Sequence, residues 1–99
     1  MNDPLTIEAF QRHINDRYFE PDSARGTAAT FLWFMEEVGE LATALQRADG
    51  ADATPSGNLA EEFADVLAWL CTLANINGVD LTEAVRRKYL KDGGPTGHK

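Results

Sequence analysis

The sequence has little cysteine and no excess of basic residues. It contains one cysteine, Cys71, so no disulfide can form within the chain. A reducing compartment, the cytoplasm, is therefore expected. Lysine and arginine together number 9 against 16 acids, which gives a formal net charge of −7. Because nucleic-acid binding needs a basic face, this balance argues against it.

Long apolar runs are also missing, and no signal peptide is expected from the first residues. Charged or polar residues interrupt every apolar stretch, so no membrane span is expected. The first residues, Met1-Asn2-Asp3-Pro4, lack the basic and apolar regions of a signal peptide. No glycine-rich Walker-type loop is present to hold a triphosphate. The 99 residues predict one domain over 1–99, with a loose tail from about 93 to 99.

Apolar residues recur at helical spacing in four segments, whereas strand-like alternation is weak. We expect helices over Pro4–Tyr18, from Ser23 or Thr27 to Ala48, over Asn58–Ile76, and over Asp80–Leu90. Asp3 is predicted to cap the first helix, and residues 20–23 to break it. The second and third helices should pack antiparallel, because the connection between them is short. Their apolar stripes are wider than one partner helix covers, which predicts an all-α four-helix bundle completed by homo-oligomerisation.

Acids lie beside the apolar stripes of the two longest predicted helices. Glu37 and Glu40 are three positions apart in the second helix, as are Glu62 and Asp65 in the third. Residues at this spacing share one helix face, where like charges repel. Four converging carboxylates would suit Mg²⁺, or Mn²⁺, which prefer oxygen ligands. The alternative is that all four are ordinary solvated acids.

These residues resemble a known family, the MazG-like all-α nucleoside triphosphate pyrophosphohydrolases. The resemblance lies in Glu36-Glu37-Val38-Gly39-Glu40, in Glu62-Phe63-Ala64-Asp65 and in their flanks. It implies Mg²⁺-dependent hydrolysis of a nucleoside triphosphate to the monophosphate and pyrophosphate, as nucleotide-pool housecleaning. It further implies a homodimer, possibly a tetramer, with active sites near the subunit interface.

The resemblance also implies roles for individual residues. Glu37, Glu40, Glu62 and Asp65 are then the metal ligands, and Glu36 and Glu37 are the catalytic acids. Lys88 matches a lysine that lies near the substrate phosphates in the family. Asp92 stands where the family often has asparagine, and Lys91 offers a nearby cation instead.

Two further substrate residues are suggested by side-chain chemistry. Trp33 can stack on a nucleobase, although packing in a core or interface is the commoner explanation for such a residue. Asn75 can read a base edge or cap a helix end. A different class of function also fits the sequence, namely a non-catalytic helical module for dimerisation or nucleotide-dependent regulation.

Overall fold

The computed structural model describes residues 4–48 and 57–97, and the regular elements within these ranges are helical. The α-helices are Ile7–Arg25 (α1), Thr27–Ala48 (α2), Gly57–Ile76 (α3) and Leu81–Val85 (α4). A π-helical turn, Arg86–Leu90, and a 3₁₀ turn, Lys91–Gly93, follow α4 directly. The all-α prediction is therefore confirmed for the described part of the chain.

The first helix differs from its prediction at both ends. It begins after Thr6, whose hydroxyl accepts a hydrogen bond from the Ala9 amide at 3.0 Å. Asp3, the predicted cap, lies outside the described residues. Pro21 lies inside α1, so the predicted break at 20–23 is wrong.

Tertiary contacts explain why α1 continues through Pro21. A proline inside a helix removes a backbone hydrogen bond and costs about 3 kcal/mol. The next residue, Asp22, is only 6% exposed, and its carboxylate accepts a hydrogen bond from Thr72 of α3 at 3.0 Å. The helix ends at Gly26, whose N–H donates to the Asp22 carbonyl at 3.1 Å. The φ of 87° at Gly26 is a conformation that only glycine adopts readily.

The second and third helices pack antiparallel, as predicted. Thr27 at the start of α2 shares hydrogen bonds with Asn77, just after the end of α3. Further along α2, Trp33 stacks against Trp69, which lies earlier in α3. As residue numbers increase along α2, the numbers of the contacting residues at α3 decrease, so the two helices run in opposite directions.

The last two helix starts agree closely with the sequence. Helix α3 begins at Gly57, one residue before the predicted Asn58, whose side chain lies outside the described residues. Asp80 caps α4, since its carboxylate accepts a hydrogen bond from the Glu83 amide at 3.1 Å. The predicted fourth helix is α-helical only to Val85 and then widens into the π turn.

The core lies where α1, α2 and α3 meet, and it is small. Among the described residues, its buried members are Ile14, Asp22, Thr30, Cys71, Thr72 and Ala74. Burial also raises the pKa of the Cys71 thiol. By contrast, Leu32 is 70% exposed, Trp33 50% and Phe63 53%.

In the described ranges, no helix has both the length and the apolar character that crossing a bilayer requires.

Candidate functional site

Five acids meet where α2 packs against α3. Glu36, Glu37 and Glu40 lie on α2, and Glu62 and Asp65 lie on α3. The three-residue spacing within each helix puts both members of each pair on one face, one turn apart. Because the helices are antiparallel neighbours, the two faces oppose each other. We call these five residues the acidic cluster.

Carboxylate oxygens in the acidic cluster lie close enough to share one cation. Oxygens of Glu37, Glu62 and Asp65 all lie within 4.8 Å of one another. The same holds for Glu36, Glu37 and Glu40. Glu37 belongs to both groups and therefore links the acids of the two helices.

The electrostatics of the acidic cluster are unfavourable without a cation. Burial raises the pKa of Glu37, and repulsion from Glu40 and Asp65 raises it further. Burial likewise raises the pKa of Glu62, again with repulsion from Glu40 and Asp65. Ion pairs in the described residues involve Glu8, Asp22 and Glu83, so none of them neutralises these five acids.

One atom of the acidic cluster lacks the partner that its burial requires. Glu62 Oε1 is buried and has no hydrogen-bond partner among the described residues. A buried polar atom without a partner costs about 1–3 kcal/mol. An all-oxygen donor set with an unpartnered buried oxygen fits a hard divalent cation such as Mg²⁺ or Mn²⁺. Two groups of carboxylates could hold such an ion, namely Glu37 with Glu62 and Asp65, and Glu36 with Glu37 and Glu40.

An aromatic pair lies one helical turn from the acids on each helix. Trp33 comes four residues before Glu37, and Trp69 comes four residues after Asp65. Their ring centroids are 6.3 Å apart with an interplanar angle of 14°. The guanidinium of Arg25 lies over the Trp69 ring, 5.2 Å from its centroid. The predicted substrate residue Trp33 is therefore next to the acids and half exposed.

The other predicted substrate residues are not brought to the acidic cluster within this chain. Lys88 is exposed in the π turn, with its Nζ 5.8 Å from the Tyr89 ring centroid. Lys91 and Asp92 lie in the 3₁₀ turn, where Asp92 has a positive φ of 55°. These turns pack mainly against α4 and each other rather than against α2 or α3.

Asn75 takes part in a contact between α3 and α1. Its Oδ1 accepts a hydrogen bond from Gln11 Nε2 at 2.9 Å, and its Nδ2 donates to the Gln11 carbonyl at 3.3 Å. Gln11 also donates to the Val79 carbonyl and accepts from the Leu81 amide, which ties α1 to the loop before α4. The contact of Asn75 with a base therefore stays a prediction.

Gly39 lies inside α2, where a glycine costs about 1 kcal/mol relative to alanine. A Cβ atom added at Gly39 would meet nothing within 4 Å. In the described part of this chain, close approach of another helix therefore does not explain the glycine. Space for a ligand next to Glu40 remains compatible with the structure.

Sequence reasoning missed Asp22, Arg25 and Thr72 as a connected group. Arg25 Nη1 lies 3.1 Å from Asp22 Oδ1, and Thr72 donates to Asp22 Oδ2 at 3.0 Å. Arg25 also donates to Thr30 of α2 at 3.2 Å. The three-residue spacing of Asp22 and Arg25 is typical of an ion pair within a helix. It was not used because Pro21 predicted that the helix ends before these residues.

The acidic cluster lies within a part of the chain that matches a known protein family. Residues 25–91 match the family described as the MazG nucleotide pyrophosphohydrolase domain. A search of curated proteins finds no match. The matched range covers well over half of the chain and includes all five residues of the acidic cluster. On this ground, the chain belongs to the MazG nucleotide pyrophosphohydrolase domain family.

Proposed function

We propose that this protein hydrolyses a nucleoside triphosphate to the monophosphate and pyrophosphate in an Mg²⁺-dependent reaction. The observation that carries the proposal is the convergence of Glu37, Glu62 and Asp65, whose oxygens lie within 4.8 Å of one another. Membership of the family supports a nucleotide pyrophosphohydrolase. The unpartnered Glu62 oxygen supports a bound cation.

Each acid has a role in the proposed reaction. Glu37, Glu40, Glu62 and Asp65 hold the metal, which supplies neutralisation of the phosphates when bound. A water oxygen forms a bond to the α-phosphorus, while the bond from that phosphorus to the bridging oxygen breaks. Pyrophosphate leaves with the electron pair. Glu36 accepts the proton of the water and Glu37 helps to orient it, because both carboxylates lie on the same turn of α2.

We also propose that a second copy of the chain completes the bundle. The apolar side chains of Leu32, Trp33 and Phe63 are at least half exposed on the two helices that carry the acids. Exposed apolar area of this kind is typical of an interface. In such a dimer, or a dimer of dimers, Lys88 and Lys91 reach the phosphates of a neighbouring site, with Asp92 beside them in the chain. Light scattering checks the assembly, and a monomer at every concentration would contradict it.

The decisive experiment measures pyrophosphate release from a panel of canonical and modified nucleoside triphosphates, with Mg²⁺ and with EDTA. We expect release only with the metal. Glu40→Gln and Asp65→Asn should each lower the rate at least about 100-fold, because even residues behind metal ligands can contribute that much. Glu20→Gln, an exposed change on α1, is the matched control and should leave the rate unchanged.

Two outcomes would reject parts of the proposal. Wild-type turnover in both ligand variants would reject the assigned metal residues. Nucleotide binding with Mg²⁺ in calorimetry, without turnover across the panel, would favour the non-catalytic regulatory module. That second reading draws support from the π turn with Lys88, which packs mainly against α4 rather than against the helices that carry the acidic cluster.

A further inference from the structure

A second concave site lies between α1 and α3. It is a cavity of about 370 Å³, and its walls include Tyr18, Asp22, Arg25, Ala68, Trp69 and Thr72. This volume falls at the lower end of the range that ligand pockets occupy. We call it the α1–α3 cavity. It contains none of the five acids of the acidic cluster.

The α1–α3 cavity combines aromatic walls with one buried anion. Trp69 and Tyr18 contribute flat apolar surface. The Trp69 ring is itself held by the guanidinium of Arg25 and by stacking against Trp33. Asp22 is 6% exposed and has an ion pair on one oxygen and a hydroxyl donor on the other. A carboxylate offers about four lone-pair positions, so Asp22 has accepting capacity left for a ligand.

The position of the α1–α3 cavity relative to the acids suggests what occupies it. Ala68, Trp69 and Thr72 follow Asp65 by three, four and seven residues, so they continue the same face of α3. Trp69 is therefore about 6 Å and Thr72 about 10 Å along the helix axis from Asp65. A nucleotide with its phosphates at the acidic cluster can extend its base toward this cavity.

Three of the residues that line the α1–α3 cavity, Ile14, Tyr18 and Asp22, come before the range that matches the family, which starts at residue 25. The available groups are an acceptor-only carboxylate, a donor-only guanidinium and a hydroxyl.

We propose that the α1–α3 cavity receives the base of the nucleotide, and that Asp22 selects bases bearing an exocyclic amino group. An amino N–H donates to the Asp22 carboxylate, and the neighbouring ring nitrogen accepts from Arg25. A keto oxygen in the amino position faces the carboxylate instead and is repelled by it. This assignment of the base rests on the proposed hydrolysis, whereas the cavity and its preference for amino groups do not.

The first test compares hydrolysis of matched nucleotide pairs that differ at the amino position. The pairs are cytidine with uridine triphosphate and adenosine with inosine triphosphate. We expect kcat/KM to be about tenfold or more higher for the amino member, as for one charge-assisted hydrogen bond. Asp22→Asn should bring both ratios near unity, because an amide both donates and accepts. Asp16→Asn, an exposed change of the same kind on α1, should keep the ratios.

The second test measures binding without hydrolysis, by quenching of Trp33 and Trp69 fluorescence with nucleosides in EDTA. Cytidine should quench, and uridine at the same concentration should not. A substitution of Asp22 would also remove its contacts with Arg25 and Thr72. Ala68→Leu keeps those contacts and instead fills the α1–α3 cavity with a larger side chain. This variant should fold, as judged by circular dichroism, and should lose the quenching by cytidine.

The outcomes separate this proposal from the proposed hydrolysis. Cytidine quenching that Ala68→Leu removes supports the cavity even if no triphosphate is hydrolysed. Hydrolysis with equal kcat/KM across both pairs, or quenching that folded Ala68→Leu retains, overturns the cavity assignment and leaves the hydrolysis standing. Absence of quenching by cytidine overturns the assignment as well.

Discussion

Two carboxylates of this protein lie in opposite electrostatic settings. Asp22, between α1 and α3, is almost fully buried, and both of its oxygens have partners, Arg25 and Thr72. Glu62, between α2 and α3, is half-buried, and its Oε1 has no hydrogen-bond partner among the described residues. Its nearest charged neighbours are further acids. The more buried acid is therefore the better compensated one.

The difference shows what each site requires. The charge of Asp22 is balanced inside the chain, so it stabilises the contact between α1 and α3 before any ligand arrives. Among the described residues, no ion pair balances the charges around Glu62. Burial alone therefore does not mark the candidate metal centre, whereas uncompensated burial points to it.

The largest effect should come from removing the compensated carboxylate. Asp22→Ala leaves the partly buried Arg25 without its counter-ion and Thr72 without its acceptor. We expect the free energy of unfolding to fall by about 3 kcal/mol, measured by urea denaturation. Glu8→Ala removes an exposed pair with Arg12 and should cost at most about 0.5 kcal/mol. Equal losses in the two variants would show that the partners of Asp22 contribute no more to stability than an exposed ion pair does.

A somewhat smaller effect should follow from filling the uncompensated site. Mg²⁺ at about 100 times its Kd should raise the free energy of unfolding by about 2.7 kcal/mol. In Glu62→Gln most of this increase should disappear, while the metal-free variant should melt above the metal-free wild type, since a crowded negative charge is gone. Glu20→Gln is the control, with both values unchanged. Full Mg²⁺ stabilisation of Glu62→Gln would show that Glu62 is not a ligand.

The smallest effect should be the pH dependence of the metal-free protein. Burial and neighbouring acids raise the pKa of Glu37 and Glu62. Stability from these groups is therefore complete below the ordinary glutamate pKa of about 4.3, and it is lost as the pH rises through the raised values. The loss should be modest, because water screens partly exposed charges.

The measurement is the melting temperature in EDTA from about pH 4 to about pH 8. Wild type should lose stability with rising pH relative to a Glu37→Gln, Glu62→Gln double variant, whose two positions do not titrate. Mg²⁺ should cancel the loss in wild type. Parallel curves for wild type and double variant would show that the two glutamates are not crowded in solution.

Much of the fold could be read from the sequence because its signals are local. The apolar periodicity predicted the end of α2 at Ala48 and the start of α3 within one residue. Of the two starts predicted for α2, Thr27 is confirmed and Ser23 is wrong, because Ser23 belongs to α1. The fourth helix was predicted to start at Asp80, which caps α4 in the structure. The pairs Glu37 with Glu40 and Glu62 with Asp65 could also be found, since residues three apart share a helix face whatever the helix packs against.

The errors lie where long-range contacts outweigh local preferences. Pro21 predicted a break, but the contacts of Asp22 keep α1 helical to Arg25. The sequence also could not predict that Lys88 is exposed and away from the acidic cluster, because no local pattern determines which element the π turn packs against.

By itself, the sequence of this protein determined the helical class, through the helical spacing of its apolar residues, and the two acid pairs. Both depend on neighbours within one or two helical turns. Only the tertiary structure decided that the acid pairs oppose each other across α2 and α3. It also created the α1–α3 cavity, by joining Asp22 to Thr72 across 50 positions of chain. Contacts between residues so far apart depend on how whole helices pack, which no local spacing encodes.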